Sequence, residues 1–342
     1  MSGSGRPAGS REGLILLFSA VVVLAGAAAA RRSSAPVPAS SSSSNDGLTL
    51  PPPLPSGAPP RALEDLPADD ERAAGCHFAD RGFGDYVGWR RLPGAPSAAR
   101  ALVPVGRAVA DDGSFRLLVH FHGAEPARKQ LAAEGFGLVI AAIDAGVGSR
   151  AYERALGEPA SFGQLVAAVE AEVAAANGLP VNGAHARSIV LSSWSAGYGA
   201  VTQILARRTP GIDAVILLDS LYAGYPGNGR ALEHGQLKAF VDAARAARTG
   251  GPAFYLTHTA IATPGYASTS EVASFLLREL GAAATPVDDG AAAAERFPLL
   301  RLYDEGRLWI RGYAGADRDA HCAQLHLLPT VLRDAVLPAL KN

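Results

Sequence analysis

The run Ser192-Ser193-Trp194-Ser195-Ala196-Gly197-Tyr198-Gly199 holds the residue types that nucleophilic catalysis requires. It lies between an apolar segment, 188–192 (SIVLS), and a Gly- and Ala-rich helix start. A sharp strand-to-helix turn keeps its central residue in a strained backbone conformation. The residues two positions to either side must then be small, because the chain doubles back on itself there. Here those residues are Ser193 and Gly197, a variant of G-x-S-x-G with serine in place of the first glycine. Such a turn presents the Ser195 hydroxyl above the sheet. It also aims the Ala196 N–H and the helix N-terminus at any oxyanion that develops. Ser193 lacks small residues at both flanking positions, so Ser195 is the expected nucleophile. The rival reading of this run is a Ser/Gly-rich helix cap with no chemistry at all.

The elements that must position this serine are legible from residue 115 onward. Strands are expected at 116–121 (RLLVHF), 137–143 (GLVIAAI), 188–192, 213–218 (DAVILL), 253–257 and 308–311. Apolar residues at helical spacing predict helices over 161–177, 230–248 and 269–280. A last helix, 321–340, is expected to kink near Pro329. Continuous apolar strands separated by helices imply a doubly wound, mostly parallel α/β sheet with helices on both faces. In such sheets, sites form beyond the carboxyl ends of the strands. The polar residues at those ends are His120, His122, Asp144, Ser193, Ser195, Asp219, His258 and the segment 317–321.

With the serine turn and the His122-Gly123-Ala124 sequence that closes strand 116–121, the chain resembles the α/β-hydrolase superfamily over roughly residues 85–342. That resemblance implies an oxyanion donor at the Ala124 N–H, beside that of Ala196. It carries the catalytic histidine onto His321, late in the chain and ahead of the final helix; His326 is the weaker candidate. The carboxylate usually follows a later strand, which here ends at Leu256-Thr257-His258-Thr259 without an acid. Asp219, at the end of 213–218, is the position some members use instead. Asp317 or Asp319 could orient His321 locally, and Asp144 reads as a loop or substrate contact.

These assignments predict an acyl-enzyme on Ser195, with His321 as general base and Asp219 as its orienting acid. They require no metal and no organic cofactor. A carboxylic ester is the expected substrate, small or polymeric, with an amide or peptide second. Trp194 and Tyr222 are candidate walls for an apolar acyl group, and Tyr198 and Tyr225 lie close in sequence. Two other readings stand beside this one. The first is a catalytically inactive α/β-hydrolase-like binding domain. The second is a metal-dependent hydrolase using His120 and His122, whose i, i+2 spacing puts both side chains on one sheet face.

Composition narrows the partners. The 342 residues carry 31 basic and 32 acidic side chains. Six basic and seven acidic residues fall in the first 74 positions, leaving 25 of each in the remainder. A neutral domain exerts no global pull on nucleic acid, and a hydrophobic content of 48% excludes a largely disordered chain. The N-terminus reads as an export signal: Arg6 and Arg11 precede an apolar run at 13–30 that ends in small residues. Cleaved, it leaves a secreted, periplasmic or cell-surface protein; uncleaved, it is a membrane tether. Residues 31–74, rich in Ser, Ala and Pro, are expected to be a disordered linker ahead of a domain at 75–342. Cys76 and Cys322 are either a disulfide stapling the domain's start to its last helix or two unrelated thiols.

Overall fold

The computed structural model of the chain describes residues 75–104, 108–226, 231–287 and 296–340. Contacts divide the chain into Met1–Ala58 and Pro59–Asn342, and every described residue lies in the second unit. The expected leader at 1–30, with its apolar run at 13–30, and the linker at 31–74 lie outside the described residues.

Among the described residues ten strands form one sheet. Across it run β1 (Arg90–Arg91), β2 (Arg100–Leu102), β4 (Val139–Ile143), β3 (Ser114–Phe121), β5 (His185–Trp194), β6 (Ile212–Leu218), β7 (Ala253–His258), β10 (Leu308–Tyr313), β9 (Leu299–Glu305) and β8 (Thr285–Pro286). The strands from β4 to β10 in this order pair in parallel, and the margins on both sides are antiparallel. Among the described residues the α-helices are α1 (Ala124–Ala132), α2 (Ser149–Ala155), α3 (Ser161–Ala176), α4 (Tyr198–Ala206), α5 (His234–Arg248), α6 (Thr269–Glu279), α7 (Arg318–Leu325), α8 (Leu328–Val331) and, after a π turn at Leu332–Val336, α9 (Leu337–Ala339).

Strand alternation sorts the apolar side chains into two layers. Leu117, Val119, Phe121, Leu191, Val215 and Phe254 pack with the helices α3 to α6. Leu118, Ile140, Val190, Ile216 and Tyr255 pack with α1 and the C-terminal helices. Both faces are thus covered, which is why the central strands read as unbroken apolar runs. The expected doubly wound, mostly parallel α/β sheet is present. From β3 the chain passes to β4 on one side and then returns to β5 on the other. The order therefore reverses between β3 and β5, and a crevice at such a reversal is where open α/β sheets build their sites.

The structure departs from the sequence expectations mainly at the margins. β10 matches the strand expected at 308–311, but its hairpin partner β9, together with β1, β2, β8, α1 and α2, had no counterpart in the apolar pattern. In β9 no residue is fully buried, so burial left no continuous apolar signature there. Helix α5 begins at His234 rather than 230. The C-terminal helix begins earlier than expected, at Arg318, where the Asp317 carboxylate accepts from the Ala320 N–H at 2.8 Å. It stops at Leu325, and Pro329 sits in the first turn of α8, where a missing N–H is tolerated. Pro329 thus opens a new helix instead of kinking a long one.

The segment ahead of the sheet is pinned to the C-terminal helices. Cys76 and Cys322 are joined by a disulfide. Phe78 stacks on His326 at 4.3 Å, and Asp80 Oδ2 accepts from the buried Arg128 of α1 at 2.5 Å.

Candidate active site

Ser195 lies between β5 and α4 with φ of 51°, in the left-handed region. A non-glycine residue held there costs about 1–3 kcal/mol, so the surrounding contacts must over-determine it. Two of them are visible. A Cβ on Gly197 would come 2.1 Å from the Phe121 carbonyl oxygen, so only glycine lets the turn press against the end of β3. On the other side, the Ser220 hydroxyl donates to the Ser195 carbonyl at 2.8 Å. With its proton engaged there, Ser220 Oγ accepts from Ser193, 2.9 Å away. Ser193 is fully buried. Serine in place of the first glycine therefore fits the turn and helps lock it, and Ser193 is removed as a nucleophile. Ser195 itself is half-exposed, and among the described residues its hydroxyl has no hydrogen-bond partner.

His321, in α7, places Nδ1 2.7 Å from Asp219 Oδ2. Asp219 ends β6, is 1% exposed and has φ of 42°. Its carboxylate is fully surrounded by donors. Oδ1 accepts from the Thr259 N–H at 2.9 Å and the Thr269 hydroxyl at 2.6 Å, and Oδ2 accepts from the Thr259 hydroxyl at 2.9 Å. Its own N–H donates to Thr257 Oγ at 2.9 Å. The strand expected to supply an acid, β7, thus supplies Thr257 and leads into Thr259, and together with Thr269 at the start of α6 these hold the acid of β6. Nothing in the sequence marked Thr259 or Thr269.

Trp194 joins the two halves. It immediately precedes Ser195, its Nε1 donates to the His321 carbonyl at 3.0 Å, and its ring stacks on the His321 imidazole at 4.8 Å. The imidazole therefore sits beside the serine turn. Trp194 also stacks on His122 at 5.4 Å. Its indole braces two histidines, a role the sequence did not suggest for a candidate acyl wall. Tyr222 lies on the same rim, with its ring 5.8 Å from Tyr198 and 5.5 Å from Tyr266. The Tyr225 hydroxyl instead donates to Glu271 at 2.7 Å.

At the end of β3 the structure differs from expectation. The Ala124 N–H, expected as a free oxyanion donor, is held by the Asp144 carboxylate at 3.1 and 3.2 Å. The same carboxylate takes the Gly123 N–H at 2.8 Å. The physical reason is local: these are the first unpaired N–H groups of α1, and Asp144, at the end of the neighbouring β4, reaches them.

The remaining candidates fall elsewhere. His326 is engaged with Gln130 at 3.2 Å and with the Gly75 carbonyl at 2.9 Å. Asp319 pairs with Arg296 at 2.5 Å, and Asp317 caps α7. His258 borders a cavity of about 630 Å³ beyond Thr259.

His120 has both ring nitrogens engaged, with Nε2 donating to the His122 carbonyl at 2.7 Å and Nδ1 accepting from Ser192 Oγ at 3.0 Å. Coordination of a metal would break one of these bonds in a fully buried position. The metal reading with His120 and His122 therefore does not match the donor geometry. Among the described residues, no group of three His, Cys, Asp or Glu side chains could hold a metal ion. Burial pushes the His120 imidazole down to about 3, with the His122 carbonyl acting the other way. A histidine kept neutral in this way contributes its full stability above its ordinary value of 6.5 and loses it as the pH falls from there toward 3. The unfolding equilibrium is expected to shift up to about tenfold per pH unit in this window. Denaturant midpoints taken from pH 7 to pH 3 should show this decline, and His120→Asn should flatten it. Equal slopes for the two proteins would contradict this account.

No protein-family model matches the chain, and no curated protein does. Several solved structures are similar to it. TT1662 from Thermus thermophilus is 18% identical, with a TM-score of 0.40, over 73% of this chain and 98% of that one. The ester-hydrolase EH1AB1 from the metagenome of Lake Arreo is 15% identical, with a TM-score of 0.41, over 83% and 92% of the two chains. The carboxylesterase CesB from Bacillus subtilis is 9% identical, with a TM-score of 0.34, over 79% and 96%. By its own parallel strand order and the tight strand-to-helix turn at Ser195, the chain has an α/β-hydrolase-like fold.

Proposed function

We propose that the chain is an exported serine hydrolase that cleaves carboxylic esters, and amides second, through an acyl-enzyme on Ser195. The observation that carries this reading is the Asp219–His321 pair at 2.7 Å, braced by Trp194 against the left-handed Ser195. Asp219 is surrounded by donors, so it accepts the Nδ1 proton of His321 and leaves Nε2 as the basic nitrogen. The mechanism requires the Ser195 hydroxyl, which has no hydrogen-bond partner among the described residues, to turn toward Nε2 when substrate binds. As Oγ bonds to the substrate's carbonyl carbon, its proton passes to His321, and the carbonyl oxygen becomes an oxyanion next to the Ala196 N–H and the start of α4. His321 then returns the proton to the leaving alcohol or amine. Water, deprotonated by the same nitrogen, releases the acid and restores Ser195. Tyr222 and the exposed edge of Trp194 are the aromatic surfaces offered to the acyl group.

The leader pattern at 13–30 supports export, with residues 31–74 as a linker between a leader or membrane tether and the catalytic domain. The Cys76–Cys322 disulfide supports the same placement, since such bonds persist in oxidising compartments.

The test is a panel of aryl esters and peptide anilides in the presence and absence of a strong chelator. The reading predicts ester turnover with an initial burst of about one phenol per chain, unaffected by chelation. Hydrolysis that the chelator abolishes would replace the serine mechanism with a metal-dependent one.

A further inference from the structure

Stabilising the oxyanion with one N–H leaves the second donor unassigned, and the backbone next to the turn does not supply it. The His122 N–H donates to the Ile143 carbonyl at 3.0 Å. Those of Gly123 and Ala124 are held by the Asp144 carboxylate. An incoming oxyanion would have to compete with a full negative charge for them. The His122 side chain has no such engagement on its outer nitrogen. Its Nδ1 lies 2.7 Å from the Tyr152 hydroxyl, while among the described residues its Nε2 has no hydrogen-bond partner.

The position of this ring is fixed by its backbone and two ring contacts. His122 has φ of 73° just after β3, stacks on Trp194 at 5.4 Å, and meets the Tyr152 ring edge-on at 5.5 Å. The serine turn presses against Phe121, the residue just before it. Trp194 links it to His321, whose charge acts on it.

The proton can also be placed. Tyr152 is fully buried. Burial pushes its phenol up, reinforced by the Asp144 charge and opposed by the Ala145 and Gly146 N–H groups aimed at its oxygen. It keeps its proton and donates it to His122 Nδ1. Burial pushes the His122 imidazole down, with the Asp144 charge opposing and the His321 charge adding to the effect. A neutral imidazole whose Nδ1 accepts must carry its proton on Nε2.

From this geometry we infer that His122, set by Tyr152, is the second oxyanion donor: its Nε2–H, paired with the Ala196 N–H, binds the oxygen of the tetrahedral intermediate. The inference rests on the serine-hydrolase reading above. It asks His122 only to donate a hydrogen bond, while proton transfer stays with His321.

The test compares His122→Ala, His122→Gln, His122→Asn and Tyr152→Phe with the wild type and with Ser195→Ala, on one aryl ester. His122→Ala is expected to lower kcat by ~10²-fold with little change in KM, the usual cost of losing one oxyanion donor. The rate of fluorophosphonate labelling at Ser195 should fall in proportion. Glutamine reaches as far as Nε2 and should recover part of the loss, whereas asparagine reaches only as far as Nδ1 and should not. Tyr152→Phe should lower kcat less than His122→Ala, because it frees the tautomer without removing the ring. Should the alanine variant not fold, the glutamine–asparagine contrast carries the test. Equal kcat for those two variants overturns the proposal. So does a His122→Ala enzyme within about threefold of the wild type, and so does an Asp144→Ala variant that gains activity while His122→Ala loses none, which would return the role to the Ala124 N–H. If Ser195→Ala keeps full activity, it is the serine mechanism that fails.

Discussion

Ser195→Ala is expected to lower ester turnover by at least ~10³-fold while leaving the fold intact. The side chain is half-exposed and its hydroxyl bonds to no described residue, so removing it breaks no hydrogen bond among them. The strained turn is kept, because its supports are the Ser220 hydroxyl on the residue-195 carbonyl and the absence of a Cβ at Gly197. His321→Ala should lose activity to a similar extent. It also leaves Asp219 buried with three side-chain and backbone donors from Thr259 and Thr269. Asp219→Asn should cost less, though clearly, and it should cost stability as well, since its amide NH₂ would face donors on one side or the other. Turnover and unfolding midpoint measured on the same samples separate these effects. An alanine variant at 195 that keeps most of its ester activity would sink the assignment.

Removing the disulfide should produce the largest stability change. Cys76 and Cys322 are 246 residues apart in sequence, and cross-linking so long a loop stabilises by roughly 5 kcal/mol in the chain-entropy model. That is comparable to the whole stability of a marginal domain, about 5–15 kcal/mol. It corresponds to a fall of roughly 10–20 °C in Tm for a chain of this size. Cys322 also follows His321 directly on α7, so the bond that closes the loop also anchors the helix carrying the general base. The double variant Cys76→Ala/Cys322→Ala should therefore melt far earlier and lose turnover before it unfolds globally. A Tm within about 2 °C of the wild type would contradict the loop-entropy argument.

The sheet was readable in advance because its central strands are buried on both faces and so appear as unbroken apolar runs; β3, β4, β5, β6 and β7 all announced themselves in this way. The margins were not readable. β1 and β8 are two residues each, and β9 alternates partly exposed side chains, so neither length nor burial wrote a pattern. At the site, the serine turn was legible because sterics act over five consecutive residues. The environment of Asp219 was not, because Thr259 and Thr269 reach it from 40 and 50 residues away. The capture of the Ala124 N–H by Asp144 was hidden for a related reason. It depends on β3 and β4 lying side by side with their ends level, which the Phe121–Ile143 register provides and no local motif encodes.

The most direct measurement is reaction of the native protein with a fluorophosphonate probe, followed by peptide mass spectrometry. The account predicts one probe per chain, attached to Ser195, and no labelling once the protein is unfolded. A native protein that hydrolyses esters yet stays unlabelled, or carries the probe on another residue, would contradict it.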